Sequence, residues 1–464
     1  MNRREFITGA ASLSLVGWRG IARAAGYPDY WAANLACAAD RVNGLAASCD
    51  DGFWFITDLH IKSNRRRSGE LLAELARRTP LRNVLCGGDL PEAFGKGYPK
   101  DRDAVDYAID AYRKVWVEPI RAAGGRVYTA KGNHDFTVCH SHDAPEDRTR
   151  GFTYDGVKAR ELLLGEFTEK GVVANAADPE AAYFYFDNAA AKMRYVVADT
   201  TDSQTAGDVP WGVRYGMKDA QLRWLASEAF ATAPEGYGIA VMHHIPVTGL
   251  VGNAGDEKTF APFRRLMEAY QNRGTFEVAG ERFDFAAAKG RILIDLTGHH
   301  HCEMQTFQRG ILHVTNPCDA AYKDYIDRSK PWCGDLPEKR SGTPAEQTFD
   351  AVQFDRRGGL VHFTRVGGGQ DRTIHLAPRT VRTGEEVRFE ARHLRGDLTW
   401  GCYDADSVTN IPNPANRWMR LAQYHNTLAT ITPGGVLAPR KAGEIVVLAM
   451  DANFNKEIFP VTIG

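Results

Sequence analysis

Carboxylates, amides and histidines that could bind metal ions occur in five short motifs of this sequence. The motifs are Asp58-Leu59-His60, Gly87-Gly88-Asp89, Gly132-Asn133-His134-Asp135, Met242-His243-His244-Ile245-Pro246 and Gly298-His299-His300-His301. Each one directly follows a short apolar run that predicts a β-strand. Oxygen and imidazole ligands without a thiolate suit borderline or hard cations such as zinc, manganese or iron. The motifs therefore predict a metal centre at the ends of several strands.

The first two motifs place carboxylates where an ion could be shared. Asp58 and His60 are two residues apart at a strand end, so their side chains point to the same side and can reach one ion. The glycines before Asp89 let the backbone turn sharply, and the Asp89 carboxylate can then bridge two cations. Taken singly, Asp58 and Asp89 could equally be capping or turn residues.

The third motif combines a neutral ligand with a catalytic pair. The side-chain carbonyl of Asn133 can bind an ion, whereas His134 projects toward substrate. Asp135 can accept a hydrogen bond from the His134 imidazole and fix its tautomer. His134 and Asp135 are therefore the predicted catalytic residues.

Histidines make up the last two motifs. Either His243 or His244 could be a ligand, and both alternatives remain open at this point. His299 and His301 share one face, and His300 points away from it.

In this order, the five motifs resemble the calcineurin-like metallophosphoesterase family, whose pattern is D-x-H, G-D, G-N-H-[DE], H and G-H-x-H. The resemblance runs from about residue 50 to about residue 305 and lacks none of the motifs. It implies that His134 faces the leaving group, and the family's H-x-P form of the fourth motif selects His244 over His243. The metal ligands that it implies are Asp58, His60, Asp89, Asn133, His244, His299 and His301.

The chemistry expected of this set is hydrolysis of a phosphate ester by two transition metal ions, divalent or of mixed valence. Ions about 4 Å apart polarise the phosphoryl oxygens and lower the pKa of a shared water. The resulting bridging hydroxide, beside Asp89, attacks phosphorus in line. His134 then protonates or stabilises the departing alkoxide. This route requires no covalent phosphoenzyme.

The order of predicted elements indicates how the motifs are positioned. Helices, predicted at 67–78 and 103–123, separate the early strands, and strand-to-strand returns follow later. This pattern predicts an α/β fold, a four-layer α/β/β/α sandwich, over residues 26–366. Gly367-Gly368-Gly369-Gln370 is a predicted linker. Residues 373–464 form a predicted small all-β domain, whose piece 431–443 resembles the end of a bacterial immunoglobulin-like domain.

Residues 1–25 resemble a twin-arginine export signal. Arg3-Arg4 precedes a short apolar stretch that ends near Trp18, and Ala22-Arg23-Ala24-Ala25 resembles a cleavage site. The alternative is an ordinary amphipathic helix. The apolar stretch is too short to span a bilayer, and no other run reaches the required length of about 18 residues. We therefore expect a periplasmic or secreted protein with no transmembrane anchor in the mature chain.

Eight cysteines occur, and two pairs are close in sequence. Cys37 with Cys49, and Cys318 with Cys333, could each close a short loop in an oxidising compartment. No C-x-x-C spacing is present.

Composition limits the possible functions. The 464 residues carry a formal net charge of -1, which gives no support for nucleic-acid binding or for a nuclease. We expect a phosphodiesterase acting on small molecules such as nucleotides or glycerophosphodiesters, with a phosphomonoesterase or nucleotidase as the alternative. A non-catalytic binding or adhesion protein on the same scaffold is the alternative of another class. Further candidates for substrate contact are Arg65-Arg66-Arg67, His140, His142, Asp143, Trp211 and Tyr215.

Overall fold

Two β-sheets and the helices around them make up the computed structural model. It describes residues 28–61, 64, 66–90, 109–136, 171–202, 216–247, 254–301, 303–319, 340–405, 409–413, 416–423 and 426–464. The helices are α1 (Asp29–Leu45), α2 (Arg67–Arg78), α3 (Arg113–Val117 continuing as Glu118–Ala122), α4 (Asn133–Phe136), α5 (Asp219–Trp224 continuing as Leu225–Phe230) and α6 (Ala254–Gln271), with a 3-10 turn at Pro344–Glu346.

The first sheet carries the first three motifs. Its strands are β1 (Asp51–Ile56), β2 (Val84–Cys86), β3 (Val127–Thr129), β13 (Thr348–Asp355), β14 (Leu360–Gly367), β15 (Arg372–His375), β16 (Arg379–Val381), β18 (Thr399–Asp404), β23 (Gly443–Met450) and β24 (Lys456–Ile463). Their order is β18-β23-β24-β15-β14-β13-β1-β2-β3, with β16 beside β24. Strands β1, β2 and β3 are parallel neighbours, so their carboxyl ends meet at one edge of the sheet.

The second sheet carries the last two motifs. Its strands are β4 (Val172–Ala174), β5 (Phe184–Asn188), β6 (Met193–Val197), β7 (Gly238–Met242), β10 (Arg291–Thr297), β11 (Met304–Gln308) and β12 (Ile311–Thr315), in the order β11-β12-β10-β7-β6-β5-β4. Strands β6, β7, β10 and β12 are parallel. A separate hairpin is formed by β8 (Thr275–Val278) and β9 (Glu281–Asp284).

Burial defines four layers. One apolar cluster joins α1 and α2 to the first sheet and continues between the two sheets, where Phe53 and Tyr195 contact edge to face. A second cluster joins the outer face of the second sheet to α5 and α6, with Phe230 stacked on Tyr270. Two sheets packed face to face with helices outside are the α/β/β/α sandwich expected from the sequence, and that prediction is confirmed.

All elements described beyond residue 373 are strands, in agreement with the predicted all-β region. Strand β24 pairs in parallel with β15, and β23 and β18 follow it, so this region continues the first sheet. A smaller sheet is formed by β17 (Val387–Arg388), β21 (Ala429–Ile431) and β22 (Val436–Pro439), and β19 (Thr409–Asn413) pairs with β20 (Asn416–Gln423). The immunoglobulin-like resemblance and the domain boundaries stay predictions.

The glycines at 367–369 differ from the predicted linker. Gly367 ends β14, and Gly368 and Gly369 lie in the turn that leads to the antiparallel strand β15. Gly367 has a φ of 89°, and a Cβ there would lie 1.9 Å from the carbonyl oxygen of Gln347. These glycines therefore close a tight connection within one sheet.

The first predicted cysteine pair is not a disulfide in the structure, because Cys37 and Cys49 are both free. Cys37 lies in α1 eight residues before its end, and a helix rises about 1.5 Å per residue. The helix thus places Cys37 about 12 Å from the end of α1, and Cys49 lies in the turn at that end, where its N–H donates to Leu45 O at 3.0 Å. Cys333, the partner predicted for Cys318, lies outside the described residues.

Among the residues described, no helix has the length and apolar character needed to cross a membrane.

Candidate metal centre

The ligand-bearing loops of the two sheets meet at one place. Asp58, Asp89 and Asn133 follow β1, β2 and β3, whereas His244 and His299 follow β7 and β10. Because the strands of each set are parallel, their carboxyl ends lie together, as in other α/β sites. Backbone hydrogen bonds join neighbouring loops, with Asp58 N–H donating to Gly88 O at 2.9 Å.

A first group of ligand atoms is formed by Asp58, His60 and His301. The Nε2 atoms of the two histidines lie 3.1 Å apart, and His301 Nε2 lies 3.1 Å from Asp58 Oδ1. His60 Nε2 lies 3.9 Å from the same oxygen. All three side chains are buried. One shared proton satisfies one of these contacts, whereas a cation among the three atoms satisfies them all.

A second group is formed by Asp89, Asn133, His244 and His299. His244 Nε2 lies 3.1 Å from Asp89 Oδ2 and 3.0 Å from Asn133 Oδ1. His299 Nδ1 lies 2.8 Å from the same oxygen of Asn133. His244 Nδ1 faces Gly87 O at 2.7 Å, which fixes the ring and directs Nε2 into the group.

Asp89 connects the two groups. Its carboxylate lies within 4.8 Å of ligand atoms of Asp58 and His60 on one side and of His244 and His299 on the other. Neighbouring ligands of an ion bound at about 2.1 Å are separated by about 3.0 to 3.4 Å, close to the contacts in both groups. The donor atoms present therefore fit two metal ions that share one carboxylate.

The backbone at this centre adopts a conformation that side chains usually avoid. Asp58, His60, Asp89, His299 and His301 have φ values of 55°, 42°, 56°, 68° and 51°. Such left-handed residues cost about 1 to 3 kcal/mol each and concentrate at functional sites.

Two motif glycines permit the close approach of the loops. A Cβ on Gly132 would lie 2.2 Å from Asp89 Oδ1, and one on Gly298 would lie 2.4 Å from Asp58 Oδ2. Because these glycines have no side chain, the carboxylate of Asp89 can pack against the backbone of Gly132, and that of Asp58 against the backbone of Gly298.

Electrostatics in the group favour positive charge. Burial lowers the pKa of His244, but the charges of Asp89 and Asp58 outweigh it and raise that pKa to about 9. Burial raises the pKa of Asp58, but His301, His244 and His60 hold it well below its usual range. Burial and the neighbouring His300 and His244 hold the pKa of His299 well below its usual range. Two buried carboxylates thus attract a proton or, in its place, a metal cation.

Asp135 joins two of the loops. Its Oδ2 accepts hydrogen bonds from the backbone N–H groups of Asp89 at 2.8 Å and Gly132 at 2.7 Å, and its Oδ1 accepts one from Leu90 at 2.6 Å. Burial and the charge of Asp89 raise the pKa of Asp135 to about 7. These contacts show a positioning role for Asp135. The predicted hydrogen bond to His134 stays a prediction, since the His134 side chain lies outside the description.

The structure separates the two histidines of the fourth motif. His243 turns away from the second group, with its Nε2 2.7 Å from Asp295 Oδ1 and its Nδ1 2.9 Å from Ile245 O. His313 Nδ1 contacts the other oxygen of Asp295 at 2.7 Å. A buried network behind the metal centre is therefore formed by His243, Asp295 and His313. His244 instead belongs to the metal centre.

The additional candidates have ordinary structural contacts where they are described. Arg67 begins α2 and pairs with Glu346 at 2.9 Å. Arg66 has a left-handed backbone, and its Nε contacts Ile61 O at 3.4 Å. Arg65, His140, His142, Asp143, Trp211 and Tyr215 lie outside the described residues.

Three residues near the centre were missed in the sequence. Thr57 Oγ1 donates to Asp58 Oδ2 at 2.7 Å and orients that carboxylate. Lys131, just before the third motif, forms a buried ion pair of 2.6 Å with Asp199. Cys318 belongs to a possible ligand group with His60 and His301. Each follows or precedes a strand end, so the positional rule that identified the motifs could have found them.

Two ligand groups that share a buried aspartate in a four-layer sandwich are the arrangement expected of a metal-dependent hydrolase of phosphate esters. Comparison with known proteins agrees, since residues 52–303 match the calcineurin-like phosphoesterase family. The chain belongs to that family.

Individual relatives are more distant. The chain is 30% identical over 207 residues to a probable cyclic nucleotide phosphodiesterase of Rhodococcus erythropolis, a match that covers 41% of this chain and 51% of the relative. The chain thus spans about half the length of that curated relative. A dimetal phosphatase from Danio rerio has a TM-score of 0.47 at 14% identity, over 71% of this chain and 100% of that one. A putative 5'-nucleotidase from Staphylococcus aureus has a TM-score of 0.34 at 11% identity, over 70% and 54%.

Proposed function

We propose that this protein is an exported phosphodiesterase with two metal ions, which cleaves small phosphate diesters. The observation that carries the proposal is the position of Asp89 between the two ligand groups. A carboxylate shared in this way is what a two-ion centre needs, because it holds both ions at a fixed separation. The name of the Rhodococcus erythropolis relative supports the preference for a diester.

The residues of the chain would divide the work as follows. Asp58, His60 and His301 would hold one ion, Asn133, His244 and His299 would hold the other, and Asp89 would contact both. When bound, the ions supply Lewis acidity toward the phosphoryl oxygens and a nucleophile at neutral pH. His134, at the start of α4 beside Asn133, donates a proton to the departing alkoxide. Asp135 holds the loops of Asp89 and Gly132 together through its three backbone contacts.

Zinc, manganese and iron are the metals we propose for the centre. All accept imidazole and carboxylate ligands, which make up most of the predicted ligand set. Metal analysis of the isolated protein, followed by reloading of the chelated protein with each ion, identifies the active form.

Diester preference is tested by comparing hydrolysis of bis(p-nitrophenyl) phosphate with that of p-nitrophenyl phosphate by the metal-loaded protein. We expect the higher kcat/KM for the diester and loss of both activities with a chelator. A higher value for the monoester would replace the proposal by the phosphomonoesterase or nucleotidase alternative. Metal binding without hydrolysis of either ester would support the non-catalytic scaffold.

Export is proposed from the Arg3-Arg4 motif and the segment that follows it. We expect the protein in the periplasmic or secreted fraction, with its N-terminus trimmed near Ala25. Replacement of both arginines by lysine retains the charge and removes the paired-arginine signal. Unchanged export of that variant would contradict the proposed route.

A further inference from the structure

Cys318 lies beside the first ligand group. Its Sγ is within 4.8 Å of ligand atoms of both His60 and His301. The side chain is fully buried, and its sulfur is not in a disulfide. The thiol donates to the backbone oxygen of Asp58 at 3.1 Å. Cys318 therefore adds a fourth potential ligand, from a third loop, to the three that the motifs supplied.

The chain around Cys318 is fixed on both sides. Asn316 N–H donates to Thr297 O at 3.0 Å, directly before the last motif. Asp319 N–H donates to Thr57 O at 2.9 Å, directly before the first motif. The segment after β12 is thus tied to both loops that carry the first ligand group, and these contacts determine where the thiol lies.

The side chain of Asp319 adds further anchors. Its Oδ2 accepts hydrogen bonds from Asn64 Nδ2 at 2.8 Å and from Ser68 Oγ at 2.6 Å. Asp319 is fully buried, and Ser68 lies in the first turn of α2. A cysteine held next to such a network has little freedom to turn its sulfur elsewhere.

We propose that Cys318, as a thiolate, is a further ligand of the ion held by Asp58, His60 and His301. This inference rests on the metal-dependent function proposed above. A nitrogen and a sulfur bound tetrahedrally to one ion lie about 3.6 Å apart, so a separation of up to 4.8 Å would have to close by up to about 1.2 Å when the ion binds. On binding, the S–H bond breaks, a sulfur–metal bond forms, and the proton passes to solvent.

The ligand added in this way changes which metal the centre selects. Thiolate is soft and carries a negative charge, whereas the carboxylates and imidazoles accept harder ions equally well. We therefore expect the centre to prefer zinc or iron over manganese more strongly than a centre built from the ligands of the five motifs alone.

Three variants separate a ligand from a hydrogen-bond donor. Cys318→Ser retains a donor for Asp58 O but loses the sulfur, and Cys318→Ala loses both. Cys402→Ser is the control, because Cys402 is also buried but lies in β18. Each full-length protein is stripped of metal with a chelator and then loaded with Co²⁺. We then measure the amount of bound cobalt, the near-ultraviolet spectrum and the competition between zinc and manganese for the site.

We expect a thiolate-to-cobalt charge-transfer band in the unchanged protein and in Cys402→Ser, and its absence in both Cys318 variants. The ratio of zinc to manganese affinity should fall at least roughly tenfold in Cys318→Ser, the lower end of the loss from one supporting contact at a metal site. Bound cobalt without the band in the unchanged protein would overturn the inference and leave the proposed function standing. A protein that binds no cobalt at all would overturn both.

Discussion

Left-handed backbone at five predicted metal ligands, namely Asp58, His60, Asp89, His299 and His301, concentrates local strain at the proposed centre. Aspartate and histidine tolerate this conformation better than most residues, yet it still costs free energy. The surrounding hydrogen bonds of the loops maintain it.

His134→Ala tests the proposed proton donor. We expect bound metal to be unchanged and kcat on a diester with a poor alkoxide leaving group to fall roughly 100-fold. The loss with a p-nitrophenolate leaving group should be much smaller, since that anion departs without a proton. The comparison of kcat for the two leaving groups is the measurement, and equal losses would contradict the assignment.

Gly298→Ala tests the close approach at the last motif. The new Cβ would lie 2.0 Å from Thr57 Oγ1 and 2.4 Å from Asp58 Oδ2. We expect a loss of about 1 to 3 kcal/mol in the free energy of unfolding, together with weaker metal binding.

The matched control is Gly44→Ala, in α1, where a Cβ would meet no atom within 4 Å. That change should be neutral or stabilise the helix by up to about 1 kcal/mol. The measurement is the free energy of unfolding of both variants, obtained by denaturant unfolding. Equal stability of the two would mean that the loops can move apart at no cost.

Strands of the C-terminal region support the last motif through a buried ionic network. Glu303, two residues after His301, contacts Lys456 of β24 at 2.5 Å and Arg365 of β14 at 3.0 Å. These cations outweigh burial and hold the pKa of Glu303 well below its usual range. Asp350 extends the network by pairing with Arg365 and with Arg372, each at 2.7 Å.

Lys456→Met tests that link. Removing one cation from a buried carboxylate destabilises by about 3 kcal/mol. The loop of His301 should also hold its ion less firmly, so we expect faster loss of metal to a chelator. Lys441→Met, at an exposed lysine of the same region, is the control and should leave both quantities unchanged. If Lys456→Met lost metal to the chelator no faster than the unchanged protein, the network would have a structural role only.

His362 on β14 predicts how stability depends on pH. Burial and the nearby His393 lower its pKa to about 4. Because this value lies below the unfolded value of about 6.5, the unfolded chain binds a proton first as the pH falls. The contribution of His362 is therefore complete above about pH 6.5 and is lost toward pH 4, a change of about 2 to 3 kcal/mol by pH 4.5.

Replacement of His362 by glutamine, which can still reach Thr373, should remove this part of the acid destabilisation. The measurement is the free energy of unfolding of both proteins at several pH values between 7 and 4.5. Parallel curves would show that His362 is not kept neutral by the fold.

Much of this arrangement could be predicted at the level of elements. Helix α2 has the bounds predicted from the sequence, because its apolar periodicity matches its burial. The types of ligand residue and their order along the chain could also be predicted, because each motif directly follows a predicted strand. Thr57 and Cys318 also lie at strand ends, but the contact of Cys318 with Asp58 spans 260 positions, so local patterns alone do not show that Cys318 reaches the centre.

At the scale of the whole molecule, one sheet includes both the first ligand loops and the C-terminal strands. A glycine-rich sequence at 367–369 predicts a linker, but it forms a turn within the sheet, because such residues serve both roles equally well. Strand β24 pairs with β15, although a long segment separates the two strands in sequence. Local patterns carry no information about such distant pairing, and so continuity of the sheet was not expected.

We expect the Asp89 carboxylate to serve both metal ions in the hydrolysis of phosphate esters. The test measures the number of ions per chain and kcat for bis(p-nitrophenyl) phosphate on the same samples of the unchanged protein and of Asp89→Asn, which preserves volume and removes charge. We expect about two ions per chain in the unchanged protein, and loss of metal with a roughly hundredfold or larger fall in kcat in the variant. Two retained ions with undiminished hydrolysis in Asp89→Asn would show that Asp89 does not hold the two ions.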